Sequence, residues 1–190
     1  MSAKWIWNKC FPYPKSKREV LEGLRHYDVV DGLLPSVTTI LSDTKSEEKQ
    51  RKLAEWRERV GQEEATRITD QSGQRGTIMH NYLEHYLKGQ NKLDLSPVGV
   101  VAGGMATKIM EDGVFDKLTE IWGSEVVVFY PGLYAGQTDV VGIYEDEQSI
   151  VDFKQSNKPK KREWIDEYFM QSAAYAMAHN QIYGTNISKG

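Results

Sequence analysis

Two short stretches carry residues able to do chemistry together: Gly136-Gln137-Thr138-Asp139 and Ser149-Ile150-Val151-Asp152-Phe153-Lys154. The acidic run Glu145-Asp146-Glu147 lies between them and reads as a turn. Two β-strands joined there bring Asp139 and Asp152 together. Residues two apart in a strand share a face. Asp152 and Lys154 therefore project side by side, and Phe153 points the other way. Two carboxylates and an ammonium on one sheet face are costly to bury unless a cation fills the gap. Such a cation serves phosphodiester hydrolysis, because it makes water nucleophilic and stabilises the leaving oxyanion. Hard cations take oxygen ligands. The expected cofactor is therefore Mg²⁺ or Mn²⁺, as one or two ions, on Asp139 and Asp152. Lys154 would orient or deprotonate the attacking water and offset phosphate charge.

Each residue also has a plainer reading. Asp139 alone is equally a strand end or a turn cap, and Asp152 with Lys154 is equally an exposed edge pair of little energetic weight. The apolar neighbours Ile150, Val151 and Phe153 argue for a central strand instead. His80 lies among Leu83 and Leu87, where a histidine is usually just packed. Glu84, one turn on, either supports His80 or pairs with Lys88. Glu125 reads as the first residue of a strand, within reach of the acids or simply in solvent. Cys10 is the only cysteine, so no intramolecular disulfide is possible, and it reads as inert.

The elements that must position these residues follow from periodicity. Pro12 and Pro14 break the first thirty residues, which are aromatic and basic and read as an extended arm or irregular lid. Trp5, Trp7, Phe11 and Tyr13 there either stack on unpaired bases or join the core. Leu34 to Leu41 predicts a short Pro-initiated helix or turn. Ser46 to Ile68 predicts an amphipathic helix with Gly61 as its weak point. Gly73 and Gly76 predict a turn, and Thr77 to Lys88 a second helix stopped by Gly89. A third helix starts at Pro97 and runs to Trp122, with possible breaks at Gly103-Gly104 and Gly113. Strands follow over Glu125–Tyr130, Gln137–Tyr144 and Gln148–Lys154 as an antiparallel meander. A helix from about Lys161 to Tyr183 closes the chain. The order predicts an α+β fold, with helices on a small sheet and a helical N-terminal half.

The 190 residues suit one domain, with a boundary expected between an arm over 1–33 and a body over 34–190. The formal net charge is −3, which excludes a protein coated in basic surface. Basic residues nevertheless cluster at Lys158, Lys160, Lys161 and Arg162, close behind Lys154, where a polyanion would need them. No run is apolar enough to span a bilayer and no signal peptide is evident, so a cytoplasmic protein without a membrane partner is expected.

Four motifs in order resemble the PD-(D/E)XK nuclease superfamily, in its RecB-like exonuclease branch. They are Gly76-Thr77-Ile78-Met79-His80, Gly136 to Asp139, Asp152-Phe153-Lys154, and Gln171-Ser172-Ala173-Ala174-Tyr175. Pro35 to Thr38 is similar to a segment of phage-encoded and mitochondrial-genome-maintenance-type exonucleases. The resemblance spans about residues 34–183. It implies a restriction-endonuclease-like core with a small mixed sheet. It implies metal ligation by His80, Asp139, Asp152 and the carbonyl of Phe153, with Lys154 catalytic. Gln171 and Tyr175 would engage the substrate. Ser36 and Thr38 read as helix caps or phosphate contacts, and Arg75 as a further phosphate contact. Lys158, Lys160 and Lys161 would grip the backbone. The implied activity is a metal-dependent DNA exonuclease acting on single-stranded ends in replication, recombination or repair, with a phage gene expressed in a bacterial host as the setting. The alternatives are a non-catalytic module binding single-stranded nucleic acid or a partner, and a structure-specific endonuclease. Relatives usually continue with a further strand and helix, which this chain would lack, and Ile182 to Ile187 reads as the start of that strand. Polarity, DNA against RNA, and oligomeric state stay open.

Overall fold

The computed structural model describes residues 5–190, the side chain of Glu163 excepted; the first four residues of the expected arm lie outside it. In chain order the elements are β1 (Ile6–Trp7), β2 (Lys17–Leu21), β3 (Leu24–Val29), β4 (Gly32–Pro35), α1 (Val37–Asp43), α2 (Glu47–Val60), α3 (Gln62–Leu87), α4 (Pro97–Glu111), β5 (Leu118–Tyr130), β6 (Tyr134–Tyr144), β7 (Glu147–Val151) and α5 (Asp166–Tyr183). The architecture is α+β. Two compact units form, one from the chain up to Leu41 with Asp112–Gly190, the other from Ser42–Glu111.

The first unit holds both sheets. The larger has the order β1-β5-β6-β7, with β1 parallel to β5 and an antiparallel β5-β6-β7 meander. The smaller is the antiparallel sheet β2-β3-β4. The segment read as an irregular arm thus carries β1, β2 and β3, and β2 and β3 meet at the tight turn Glu22-Gly23, both at positive φ. Phe11 and Tyr13 pack against a core cluster that includes Val37, Trp122, Val128, Val141, Ile150 and Tyr175. A second cluster joins Tyr27, Val29 and Leu34 of the small sheet to Val127, Phe129 and Ala135 of the large one.

β5 begins at Leu118, seven residues before the expected start at Glu125. The helix expected to reach Trp122 stops at Glu111, because Gly113 takes a left-handed φ of 76° and a 3₁₀ turn over Val114–Lys117 follows. The strand expected through Lys154 ends at Val151. Glu145 and Asp146 make the β6–β7 connection, both at positive φ, as a two-residue hairpin of matching twist requires. Glu145 is anchored by Lys117 and Lys189, and hydrogen bonds from those two ammoniums draw its carboxyl down to about 2. α5 ends at Gly184, with φ 65°. The strand expected over Ile182–Ile187 is therefore displaced: a bridge forms from Ser149 to Lys189, where the Ile150 N–H donates to the Lys189 carbonyl at 3.1 Å.

The second unit is helical. Gly61, at φ 86°, divides the single helix expected over Ser46–Ile68 into α2 and α3. α3 then runs unbroken through Gly73 and Gly76, where a turn was expected. Neither glycine takes a positive φ, and a glycine costs a long helix only about 1 kcal/mol. Met79, Leu83 and Leu87 recur every four residues on α3 and are almost fully buried. Tyr82 lies over Gly103 of α4, where an added Cβ would come 3.4 Å from its ring. No helix among the described residues is long and apolar enough to cross a membrane.

Candidate active site

The strand register lines up three acids. Ser124 pairs with Val140 and Val126 with Thr138, which sets Glu125 opposite Asp139. Val140 pairs with Val151, so the same register carried one residue on sets Asp139 opposite Asp152. Glu125, Asp139 and Asp152 thus form one row across β5, β6 and the residue that follows β7. Asp139 is 6% exposed and the Asp152 side chain 8%. Like charges facing one another across strands repel, and burial sharpens that repulsion.

Each acid is held by a neighbour. Asp139 Oδ2 accepts the Phe153 N–H at 2.5 Å, tying the middle strand to the chain leaving β7. Gln137, two residues before Asp139, donates from Nε2 to Glu125 Oε2 at 2.5 Å. Glu125 itself takes a positive φ of 53°, an unfavourable conformation for a residue with a side chain. Carboxylate oxygens of Glu125 and Asp139 lie within 4.8 Å of each other. Asp152 pairs with Lys154, as the two-residue spacing predicts. The Phe153 ring is buried against Phe115, with centroids 5.6 Å apart.

α5 covers the neighbouring backbone. Gln171 Nε2 donates to the Tyr175 hydroxyl at 2.7 Å, and both residues are buried. A Cβ on Gly136 would come 2.4 Å from Tyr175 Cε1, so this ring needs a glycine in β6. Burial raises the Tyr175 hydroxyl, and the charges of Asp152 and Asp139 add to the rise. Lys154 Nζ lies 5.7 Å from the Tyr168 ring centre.

Ser36 is buried and its Oγ accepts the Thr39 N–H at 3.0 Å. It also shares a 2.9 Å hydroxyl contact with Thr38, so Ser36 caps the N-terminus of α1 and Thr38 braces that cap. Lys158, Lys160 and Lys161 are exposed in the loop before α5. His80 and Arg75 belong to α3 in the helical unit, where both are half-buried. Glu84 pairs with Lys88 at 2.5 Å, the second of its two expected roles.

Glu125 was expected as the first residue of a strand, within reach of the acids or in solvent; it lies in mid-strand. Its place in mid-strand was hidden by the late start assigned to β5. No apolar–polar alternation over Leu118–Gly123 marked the earlier start, because β5 shifts register between Leu118 and Glu120 and again between Ile121 and Gly123.

The donor set fits a hard divalent cation: facing carboxylates at low exposure, with an ammonium on the outer member of the row. No protein-family model matches the chain. Over an alignment of 168 residues that covers 83% of the chain, it is 26% identical to mitochondrial genome maintenance exonuclease 1 of Homo sapiens. It spans about half of that relative, 48%. The chain is therefore similar to a nuclease, at a distance.

Proposed function

We propose that the protein is a divalent-cation-dependent deoxyribonuclease of the PD-(D/E)XK type, RecB-like, that degrades DNA from ends and prefers single strands. The row Glu125–Asp139–Asp152 carries this reading. Three acids aligned across one sheet, two of them nearly buried, are hard to rationalise without a cation between them. When bound, Mg²⁺ or Mn²⁺ lowers the pKa of a ligated water and stabilises the leaving oxygen of a phosphodiester.

The chain's own groups have distinct tasks in this scheme. Asp139 is the central ligand, fixed by the Phe153 N–H. Glu125 is the second carboxylate, fixed by Gln137. Asp152 and the Phe153 carbonyl add oxygens. Lys154, held beside Asp152, orients the attacking water and offsets phosphate charge. Tyr175 and Gln171 set the path of β6 under Asp139 through the Gly136 contact. Lys158, Lys160 and Lys161 hold the phosphate backbone. The similarity to a named exonuclease supports the same reaction class.

End-labelled single- and double-stranded DNA, incubated with Mg²⁺, Mn²⁺ or EDTA, tests the proposal. Wild-type protein is expected to degrade labelled ends only with the divalent ion and to spare circular single strands. Asp152→Asn and Lys154→Ala are expected to lose cleavage while still binding DNA. Cutting in EDTA, or full activity in either variant, contradicts the mechanism. Rapid cutting of the circle would make the protein an endonuclease.

A further inference from the structure

The loop and first turn of α5 leave large aromatic side chains in solvent beside a run of cations. Trp164 is 54% exposed and Phe169 44%. A lone exposed ring needs no explanation, but an aromatic patch inside a basic segment does. Lys161 Nζ lies 5.3 Å from the Trp164 ring centre, and Arg162 Cζ 4.1 Å from that of Phe169. Asp166 pairs with Arg162 at 2.6 Å, and Lys158, Lys160 and Lys161 stand exposed in the same loop. Tyr168, one turn beyond Trp164, stands over Lys154, which pairs with Asp152 at the end of the acid row. Cation–aromatic pairs thus lie both beside the carboxylate row, at Lys154 and Tyr168, and at the exposed indole, at Lys161 and Trp164.

We infer that Trp164 is a stacking platform for an unpaired base of a single-stranded nucleic acid, whose phosphates are taken by Lys158, Lys160 and Lys161. The inference rests on the nuclease reading of the acid row. Its chemistry is independent of base identity, since every base offers a π face. A duplex buries those faces in its own stack. The platform therefore favours single strands without reading sequence. The cations next to the rings fit a polyanion and oppose a basic or purely apolar partner.

Fluorescence anisotropy in EDTA, which separates binding from cleavage, tests it with two labelled probes: an oligothymidylate and an abasic oligonucleotide of equal length. Trp164→Ala is expected to weaken oligothymidylate binding at least about fivefold, with abasic binding unchanged. Trp164→Phe is expected to retain most of the affinity. Lys158→Ala with Lys160→Ala is expected to weaken both probes alike and flatten the salt dependence. Unchanged oligothymidylate binding in Trp164→Ala overturns the proposal, as does an equal loss on both probes. Cleavage of labelled ends in Mn²⁺, run alongside, reports on the carboxylate centre. Wild-type cleavage with no Trp164 effect on binding sinks the platform and leaves the nuclease reading standing.

Discussion

At the residue scale, Gly136 and His179 show how closely the chain is fitted around its polar face. A methyl group at Gly136 meets the Tyr175 ring at 2.4 Å and 3.1 Å, and that ring is locked by Gln171 and the core. Gly136→Ala is expected to cost about 1–3 kcal/mol, seen as a lower denaturant midpoint with unchanged slope. His179 is fully buried and central to an aromatic cluster with Phe11, Tyr13, Trp122 and Tyr183. The Thr185 hydroxyl is spent on Asn180 Oδ1, so His179 Nδ1–H donates to Thr185 at 2.7 Å. Nε2 then accepts from the Tyr13 hydroxyl at 2.9 Å. Burial pushes this imidazole down from its ordinary 6.5 to about 4. The unfolded chain therefore takes up its proton at a higher pH than the folded one. The stability this contributes is complete above the ordinary value and is lost as pH falls through the window between the two. The mid-window slope is about 1.4 kcal/mol per pH unit. Denaturant unfolding across that window measures it, and His179→Gln is expected to flatten the slope.

At the element scale, periodicity shows where a strand or helix must exist, while its ends depend on single backbone conformations. The β5-β6-β7 meander and α5 were legible in the sequence, because runs of β-branched and aromatic residues around the acidic turn at Glu145–Glu147 mark strands and Pro159 separates them from the closing helix. The reach of β5 back to Leu118 was not, since it depends on Gly113 adopting a left-handed φ. Glu125 was misplaced for the same reason. The small sheet β2-β3-β4 was hidden because β2 is exposed along its whole length and shows no buried face. Gly73 misled in the opposite direction, toward a turn that is helix. A Cβ added there would meet nothing within 4 Å, and its φ is not positive. Gly73→Ala is therefore expected to stabilise the protein by about 0.5–1 kcal/mol, read as a higher unfolding midpoint with DNA cleavage unchanged.

At the scale of the whole molecule, the account depends on a sheet that brings acids from β5, β6 and the chain after β7 into one row. Its partial match to a longer exonuclease adds a reaction class, but the row itself is a claim about charge. Direct titration with Mn²⁺ by calorimetry measures that claim without requiring a substrate. Wild-type protein is expected to bind at least one ion, and Asp139→Asn and Glu125→Gln, checked for intact folding by circular dichroism, are expected to lose that binding or weaken it severely. Undiminished Mn²⁺ binding in a folded Asp139→Asn protein, or no binding by the wild type, would contradict the account.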